Sequence, residues 1–312
     1  MGQQIDEATG ALLKRMEIDL AEMPDETIED RRAALRFMAE NYGPQPIEVG
    51  SVEDVKINGP NGPVPLRIYR PVGAKATVPV MLHIHGGGWA LGSGHVYDRI
   101  CRANCEATGA IIVDVDYRLA PENVHPAALL DCEAALDWLV QHGVEIGGDP
   151  DRIIVAGDSA GGNLAAALCL KTSHVIWKQI LVYPVTSASR SANFGSRDKY
   201  GDGEFFLTKE AILRAECEYI ADRAKGEIWQ LSPVLATPAM LRKLPPTLLI
   251  AAELDPLVDE AVLYSDLINA AGGQSTLLIV EGTIHGFVLF GGAIPKGQEI
   301  IARMGSWIRQ NP

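Results

Sequence analysis

The chain has 312 residues, and its 40 acidic against 27 basic side chains leave a formal net charge of −13 with no Lys/Arg cluster beyond a pair or so, which excludes a phosphate-tracking surface and makes nucleic acid an unexpected partner. With 47% hydrophobic and 21% charged residues it can bury a sizeable core and is neither disordered nor fibrous in composition; the length fits two domains or one large α/β unit with an added lid. Its longest apolar runs, such as Thr247–Ala252, fall far short of the roughly 18–20 residues that a membrane span needs.

Met1–Gly10 is polar and acidic, without a basic segment leading into an apolar one, and Asp6 stands where a myristoylation signal needs Ser or Thr, so the start reads as untargeted. From Ile5 to Tyr42 apolar residues recur at helical spacing (Leu12, Leu13, Met16, Leu20, then Ala34, Leu35, Met38), and Met23-Pro24 divides them into two helices that end before Gly43-Pro44-Gln45-Pro46. Strands Val52–Ile57 and Val64–Tyr69 flank the turn-rich Asn58–Pro63 as a hairpin, and Val80–Ile84 follows. Apolar β-branched runs then alternate with helices. The runs are Ile111–Val115, Ile153–Ala156, Ile180–Val182, Leu248–Ala251 and Leu277–Val280; the helices are Asp98–Ala107, Pro126–Gln141, Ala160–Lys171, Asp259–Ala271 and Gly297–Arg309. This rhythm predicts an α/β fold with a mostly parallel sheet covered by helices on both faces. It is broken between Tyr183-Pro184 and Pro245-Pro246 by a polar stretch, Ser187–Gly203, and a helix over Thr208–Ala221 with Thr208 as N-cap and an incomplete capping box. Such an insertion at the carboxyl edge of a sheet is where a lid sits. The five cysteines (Cys101, Cys105, Cys132, Cys169, Cys217) are odd in number and without close paired spacings, so a reducing, cytoplasmic compartment is expected; Cys101 and Cys105, lacking His or Cys partners nearby in sequence, read as core rather than metal ligands.

Gly157-Asp158-Ser159-Ala160-Gly161 fits the pattern G-x-S-x-G. Chance alone yields such a match on the order of 0.1 times in a chain this rich in glycine, so the context carries the reading. The pentapeptide follows the strand Ile153–Ala156 and opens a helix, the strand-turn-helix that exposes a serine hydroxyl on a strained turn; the plainer alternative is a βα turn with a capping serine. His85-Gly86-Gly87-Gly88-Trp89 ends the strand Val80–Ile84 and matches the element whose backbone N–H groups face a developing oxyanion, with Ala160 as a further donor. A phosphate-cradling loop would need G-x-G-x-x-G or a following Lys-Ser/Thr, and neither is present. His85 reads as a brace for that loop, and His83 as structural.

A nucleophilic serine needs a base, and the base an orienting acid. Beyond Ser159 only His174 and His285 remain; His174 lies about four helical turns away, whereas His285 follows the strand Leu277–Val280, at the sheet edge where open α/β sheets place their sites. Asp255, directly after Leu248–Ala251, is the favoured acid; Asp259, better placed to stabilise a helix N-terminus, and Glu253 remain rivals. Trp89 is expected to line the acyl or alcohol pocket, with Tyr183, Phe205, Phe206 and Leu207 as further lining or core candidates.

Together with Asp116–Glu122, Asp255–Glu260 and His285-Gly286-Phe287 in the same order, these motifs resemble the hormone-sensitive-lipase family of α/β-hydrolases, the bacterial H-group esterases, over nearly the whole chain. The resemblance implies an α/β-hydrolase core (47–186 and 245–312), N-terminal cap helices (1–46) and a cap insertion (187–244). It also implies a Ser159–His285–Asp255 triad, an oxyanion hole of Gly86, Gly87 and Ala160, and hydrolysis of short- to medium-chain acyl esters of small-molecule substrates without metal or cofactor. Homodimerisation is common among such proteins, though no strand or helix is singled out as its interface. Two positions depart from the family pattern, His125 before Pro126-Ala127-Ala128 and Val258 in the acid motif, and neither touches a catalytic group. An amidase or arylformamidase, a carbohydrate deacetylase, and a ligand-binding receptor on a dead hydrolase scaffold are the competing readings; an intact triad argues against the last.

Overall fold

The computed structural model describes residues 5–74, 77–189, 192–222 and 227–310; residues 1–4 of the N-terminal stretch, and 190–191 and 223–226 of the insertion, lie outside them. The chain opens with helices α1 (Glu7–Asp19) and α2 (Ile28–Tyr42). Thr27 accepts the Asp30 N–H while the Asp30 carboxylate accepts the Thr27 N–H, a capping box that fixes where α2 begins. The expected hairpin follows as β1 (Ser51–Gly59) and β2 (Gly62–Arg70), antiparallel, with Gly59 opposite Gly62.

The alternating part runs β3 (Val78–Ile84), α3 (Asp98–Thr108), β4 (Ile111–Val115), α4 (Ala127–His142), β5 (Gly148–Asp158), α5 (Ala160–Lys171) and β6 (Lys178–Val182). After an irregular segment it resumes with β7 (Thr247–Leu254), then a helix over Val258–Ala270, β8 (Ser275–Ile284) and a last helix over Pro295–Gln310. The eight strands form one sheet in the order β1-β2-β4-β3-β5-β6-β7-β8; β1, β2 and β4 pair antiparallel, and from β4 to β8 all neighbours are parallel. Every residue of β4 and β6 is buried, which is why their apolar residues run together, Ile111–Val113 and Ile180–Val182, instead of alternating with polar ones.

The irregular segment contains α6 (Gly195–Tyr200), α7 (Lys209–Tyr219), a single 3-10 turn at Pro233–Leu235 and α8 (Pro238–Leu241), so the later helices Val258–Ala270 and Pro295–Gln310 are α9 and α10. Thr208 caps α7 by accepting the Ala211 N–H, as expected. The polar stretch Ser187–Gly203, in which no helix is read from the sequence, holds α6. Six residues leave no periodic signal, and α6 is fixed by tertiary contacts: Ser196 donates its N–H to Asp259 (2.8 Å) and its hydroxyl to the Pro256 carbonyl (2.7 Å).

The strand ends locate the site. The residues immediately after β3, β5, β7 and β8 are His85, Ser159, Asp255 and His285, so four separate segments converge at the carboxyl edge of the parallel part of the sheet.

Candidate active site

Ser159 sits between β5 and α5 with φ +53°, in the left-handed region that a side chain rarely occupies. Hydrogen bonds over-determine that conformation: its N–H donates to the Val182 carbonyl (2.9 Å), and its carbonyl accepts from Asn163 (3.1 Å) and Val185 (3.1 Å). The turn also needs Gly161, because a Cβ there would stand 2.1 Å from the Ile84 carbonyl oxygen. The plain capping-serine alternative does not hold, since the hydroxyl caps no N–H of α5.

The Ser159 hydroxyl donates to His285 Nε2 at 2.9 Å, and His285 Nδ1–H donates to Asp255 Oδ2 at 2.8 Å. Asp255 is almost fully buried, and its second oxygen accepts the Leu257 N–H (2.9 Å), which anchors the carboxylate. The Tyr183 ring packs 4.7 Å from the His285 ring and restricts its rotation. The rival acids are engaged elsewhere: Asp259 accepts from Ser196 in the first turn of α9, and Glu253 accepts the Gly282 N–H (2.7 Å). His174, the rival base, pairs with Asp137.

The oxyanion assignment needs a correction. Gly86 N–H, expected as a donor to the oxyanion, is already donated to Asp158 Oδ1 at 2.9 Å and is not available. Gly87 and Gly88 border the cavity together with Ser159 and His285, and among the described residues neither of their N–H groups meets an acceptor; the same holds for the Ala160 N–H at the first turn of α5. The free donors are therefore those of Gly87, Gly88 and Ala160. His85 braces the loop as expected, donating Nδ1–H to the Gly86 carbonyl (2.8 Å) and stacking on Tyr117 at 4.2 Å.

The cavity in front of Ser159 has a volume of about 560 Å³. Trp89, Tyr183, Phe206 and Leu207 line it, whereas Phe205 turns away and packs on Tyr200. Trp89, Ser159, Tyr183 and Phe206 are the positive-φ residues other than glycine among those described, and all four line this cavity, so backbone strain is concentrated at one place. Sequence reasoning missed the opposite wall, Leu35 and Met38 of α2 with Ile212 and Ala215 of α7. Their helical spacing was visible, but not which helices face each other. Ion pairs Arg31–Glu218 (2.5 Å) and Arg214–Asp25 (3.2 Å) tie α7 to α2 and to the segment just before it at the rim.

Behind the site, His83 donates Nδ1–H to Asp114 (2.7 Å), and Cys101, a core residue as expected, lies 3.6 Å from the same nitrogen: β3, β4 and α3 bring together three residues distant in sequence. Burial pushes the Cys101 thiol well up, and nearby carboxylates push it further, which keeps it protonated. Burial by itself would lower the His83 imidazole, but the Asp114 hydrogen bond and charge outweigh it and the net shift is upward from 6.5. A base raised on folding contributes stability that is complete below its unfolded pKa and is lost as pH rises through the folded one. The stability gap between wild type and His83→Gln is accordingly expected to narrow between about pH 6 and the alkaline range in urea titrations, and a gap that widens with pH would contradict this.

Residues 81–289 match a protein family described as alpha/beta hydrolase fold. The chain is 38% identical over 295 residues to the carboxylic ester hydrolase LipN of Mycobacterium tuberculosis, an alignment covering 90% of this chain and 76% of that one. It is 37% identical to the carboxylesterase NlhH of the same organism, over 77% of this chain and 76% of the other. Among solved structures, a thermostable esterase from Pseudomonas putida superposes with a TM-score of 0.91 at 30% identity over 99% of this chain and 98% of that chain. A thermophilic carboxylesterase cloned from a metagenomic library superposes with 0.85 at 35% identity over 94% and 98%.

Proposed function

The chain belongs to the alpha/beta hydrolase fold family, in its hormone-sensitive-lipase branch, and from that premise we propose that it is a serine carboxylesterase for short- to medium-chain acyl esters, working through an acyl enzyme on Ser159. The observation that carries this is the unbroken hydrogen-bonded chain from Ser159 through His285 to Asp255, opening on a cavity walled by apolar side chains.

In the proposed reaction Ser159 Oγ attacks the ester carbonyl carbon as its proton passes to His285 Nε2. The carbonyl oxygen becomes an oxyanion held by the Gly87, Gly88 and Ala160 N–H groups. Asp255 keeps Nδ1 protonated and faces the imidazolium that forms. Collapse of the tetrahedral intermediate breaks the bond to the alcohol, which leaves with the proton from Nε2. Water, giving a proton to the same nitrogen, then attacks the acyl-serine, and the acid departs as Ser159 recovers its proton.

The caps, residues 1–46 and 187–244, form the far wall of the cavity in this reading, supported by the lining from α2 and α7. A cytoplasmic setting is supported by the five free cysteines, and no helix among the described residues is long and apolar enough to cross a membrane. Pairing of two copies belongs to the proposal as well, and sedimentation of the purified chain tests it.

The decisive experiment is hydrolysis of p-nitrophenyl esters from acetate to palmitate in chelator-treated buffer. Short and medium chains are expected to be cleaved fastest and palmitate poorly, since the cavity, lined by Leu35, Met38 and Ile212 opposite Ser159, has a volume of only about 560 Å³. Silence on every ester, with turnover of matched anilides, would replace the esterase by an amidase.

A further inference from the structure

We infer that Asp158, the residue before the nucleophile, is a positioning residue for ester hydrolysis: its carboxylate holds the oxyanion loop from behind and aims the Gly87 and Gly88 N–H groups at the reacting carbonyl. The inference rests on the serine-esterase reading of the site.

Asp158 ends β5, whose neighbour in the sheet is β3, the strand that leads into the glycine loop; Gly157 pairs with Ile84. A side chain at this position therefore lies against the root of the loop. Asp158 is 8% exposed and its carboxylate has two donors: Oδ1 accepts the Gly86 N–H at 2.9 Å and Oδ2 accepts the Tyr97 hydroxyl at 3.1 Å. The absence of a side chain at Gly86 permits this approach, since a Cβ there would stand 2.6 Å from Asp158 Oδ2 and 3.0 Å from the Tyr97 oxygen.

The other anchors of the loop hold carbonyl oxygens. Tyr117 donates to the His85 carbonyl (2.8 Å), His85 to that of Gly86 (2.8 Å), Ala90 and Leu91 to that of Gly87 (3.1 and 2.9 Å), and the Ala120 N–H to that of Trp89 (2.9 Å). Among the described residues, Asp158 is the side chain that takes an N–H of the Gly86–Gly88 triplet. Three consecutive glycines have more backbone freedom to lose than any other tripeptide, so a loop released at Gly86 samples peptide orientations that turn the following N–H groups away from the cavity. Electrostatics excludes a direct role in stabilising charge: a carboxylate behind a forming oxyanion repels it. What Asp158 contributes is an acceptor in a fixed place, and a neutral acceptor of the same shape should serve as well.

The test compares wild type, Asp158→Ala, Asp158→Asn and Tyr97→Phe. Two inhibitors are used: an aliphatic trifluoromethyl ketone, which adds the Ser159 hydroxyl to become an oxyanion hemiketal, and the matching secondary alcohol, which fills the cavity without an oxyanion. Asp158→Ala is expected to lower kcat by roughly 10²–10³-fold with KM within about threefold, and to lose ketone affinity in proportion while keeping alcohol affinity. Asp158→Asn, whose amide oxygen still accepts from Gly86, is expected to restore kcat to within about tenfold of wild type, and Tyr97→Phe to lose about three- to tenfold. If Asp158→Ala does not fold, these last two variants carry the test. Ketone and alcohol affinities falling together, or Asp158→Asn performing no better than Asp158→Ala, overturns the proposal. A ketone that binds Ser159→Ala as tightly as wild type brings down the serine reading itself, a separate outcome.

Discussion

Replacing Ser159 by alanine is expected to lower kcat by roughly 10⁴–10⁶-fold while leaving the fold intact. The hydroxyl makes one hydrogen bond, to His285, and caps no helical N–H, so its loss changes stability by about 1 kcal/mol or less. The strained turn that presents the hydroxyl is held by backbone bonds that alanine keeps. Stopped assays on the fastest p-nitrophenyl ester, beside a thermal melt of each protein, separate the two effects. Because Ser159 and His285 act as a unit, Ser159→Ala/His285→Ala is expected to be no slower than either single variant. Residual turnover, in that case, is what the Gly87, Gly88 and Ala160 donors and substrate binding supply alone. Ser159→Ala keeping a tenth of wild-type turnover would mean that another group attacks the carbonyl.

Much of this site was legible because each residue of the triad directly follows a strand of the sheet, and these strands announce themselves as apolar runs. Ser159, Asp255 and His285 could be placed at one sheet edge from the ends of Ile153–Ala156, Leu248–Ala251 and Leu277–Val280, although β5, β7 and β8 each reach two to four residues further than those runs. What was not legible depends on strand order. That Gly86 gives its N–H to Asp158 follows from β3 lying beside β5, and the sequence separates these strands by α3, β4 and α4. The meeting of His83, Asp114 and Cys101 likewise needs the register of β3 on β4, in which His83 stands opposite Asp114. The far wall of the cavity is harder still, since Met38 and Ile212 come from helices whose amphipathic faces give no hint of each other.

The same limit hid the anchor that fastens the insertion to the core, and the largest expected effect on stability lies there. Arg197 of α6 reaches Glu260 of α9 with Nε (3.1 Å) and Nη2 (2.6 Å), donates to the Ser187 carbonyl (2.7 Å) and approaches Glu216 of α7 (3.4 Å). Glu260 has 0% exposure, and its other oxygen accepts the Thr186 and Ser187 N–H groups at 2.7 and 3.1 Å. Arg197→Met keeps the packing volume but leaves a buried carboxylate without its cation, which costs about 3–5 kcal/mol. Adding Glu260→Gln is expected to recover most of that loss, because the amide oxygen still accepts from Thr186 and Ser187 while the buried charge is gone. The pH dependence distinguishes this cause from a simple packing defect. Burial pushes the Glu260 carboxyl up, and the Arg197 charge pulls it down; without Arg197 the carboxyl rises further above its unfolded value of 4.5. A carboxyl raised on folding destabilises increasingly as pH climbs from the unfolded pKa to the folded one, so the deficit of Arg197→Met should be small in acid and reach its full size near neutrality. Urea melts at both ends of that window decide the matter: a deficit of equal size at both would mean that Arg197 acts through its packing and not through the charge it balances.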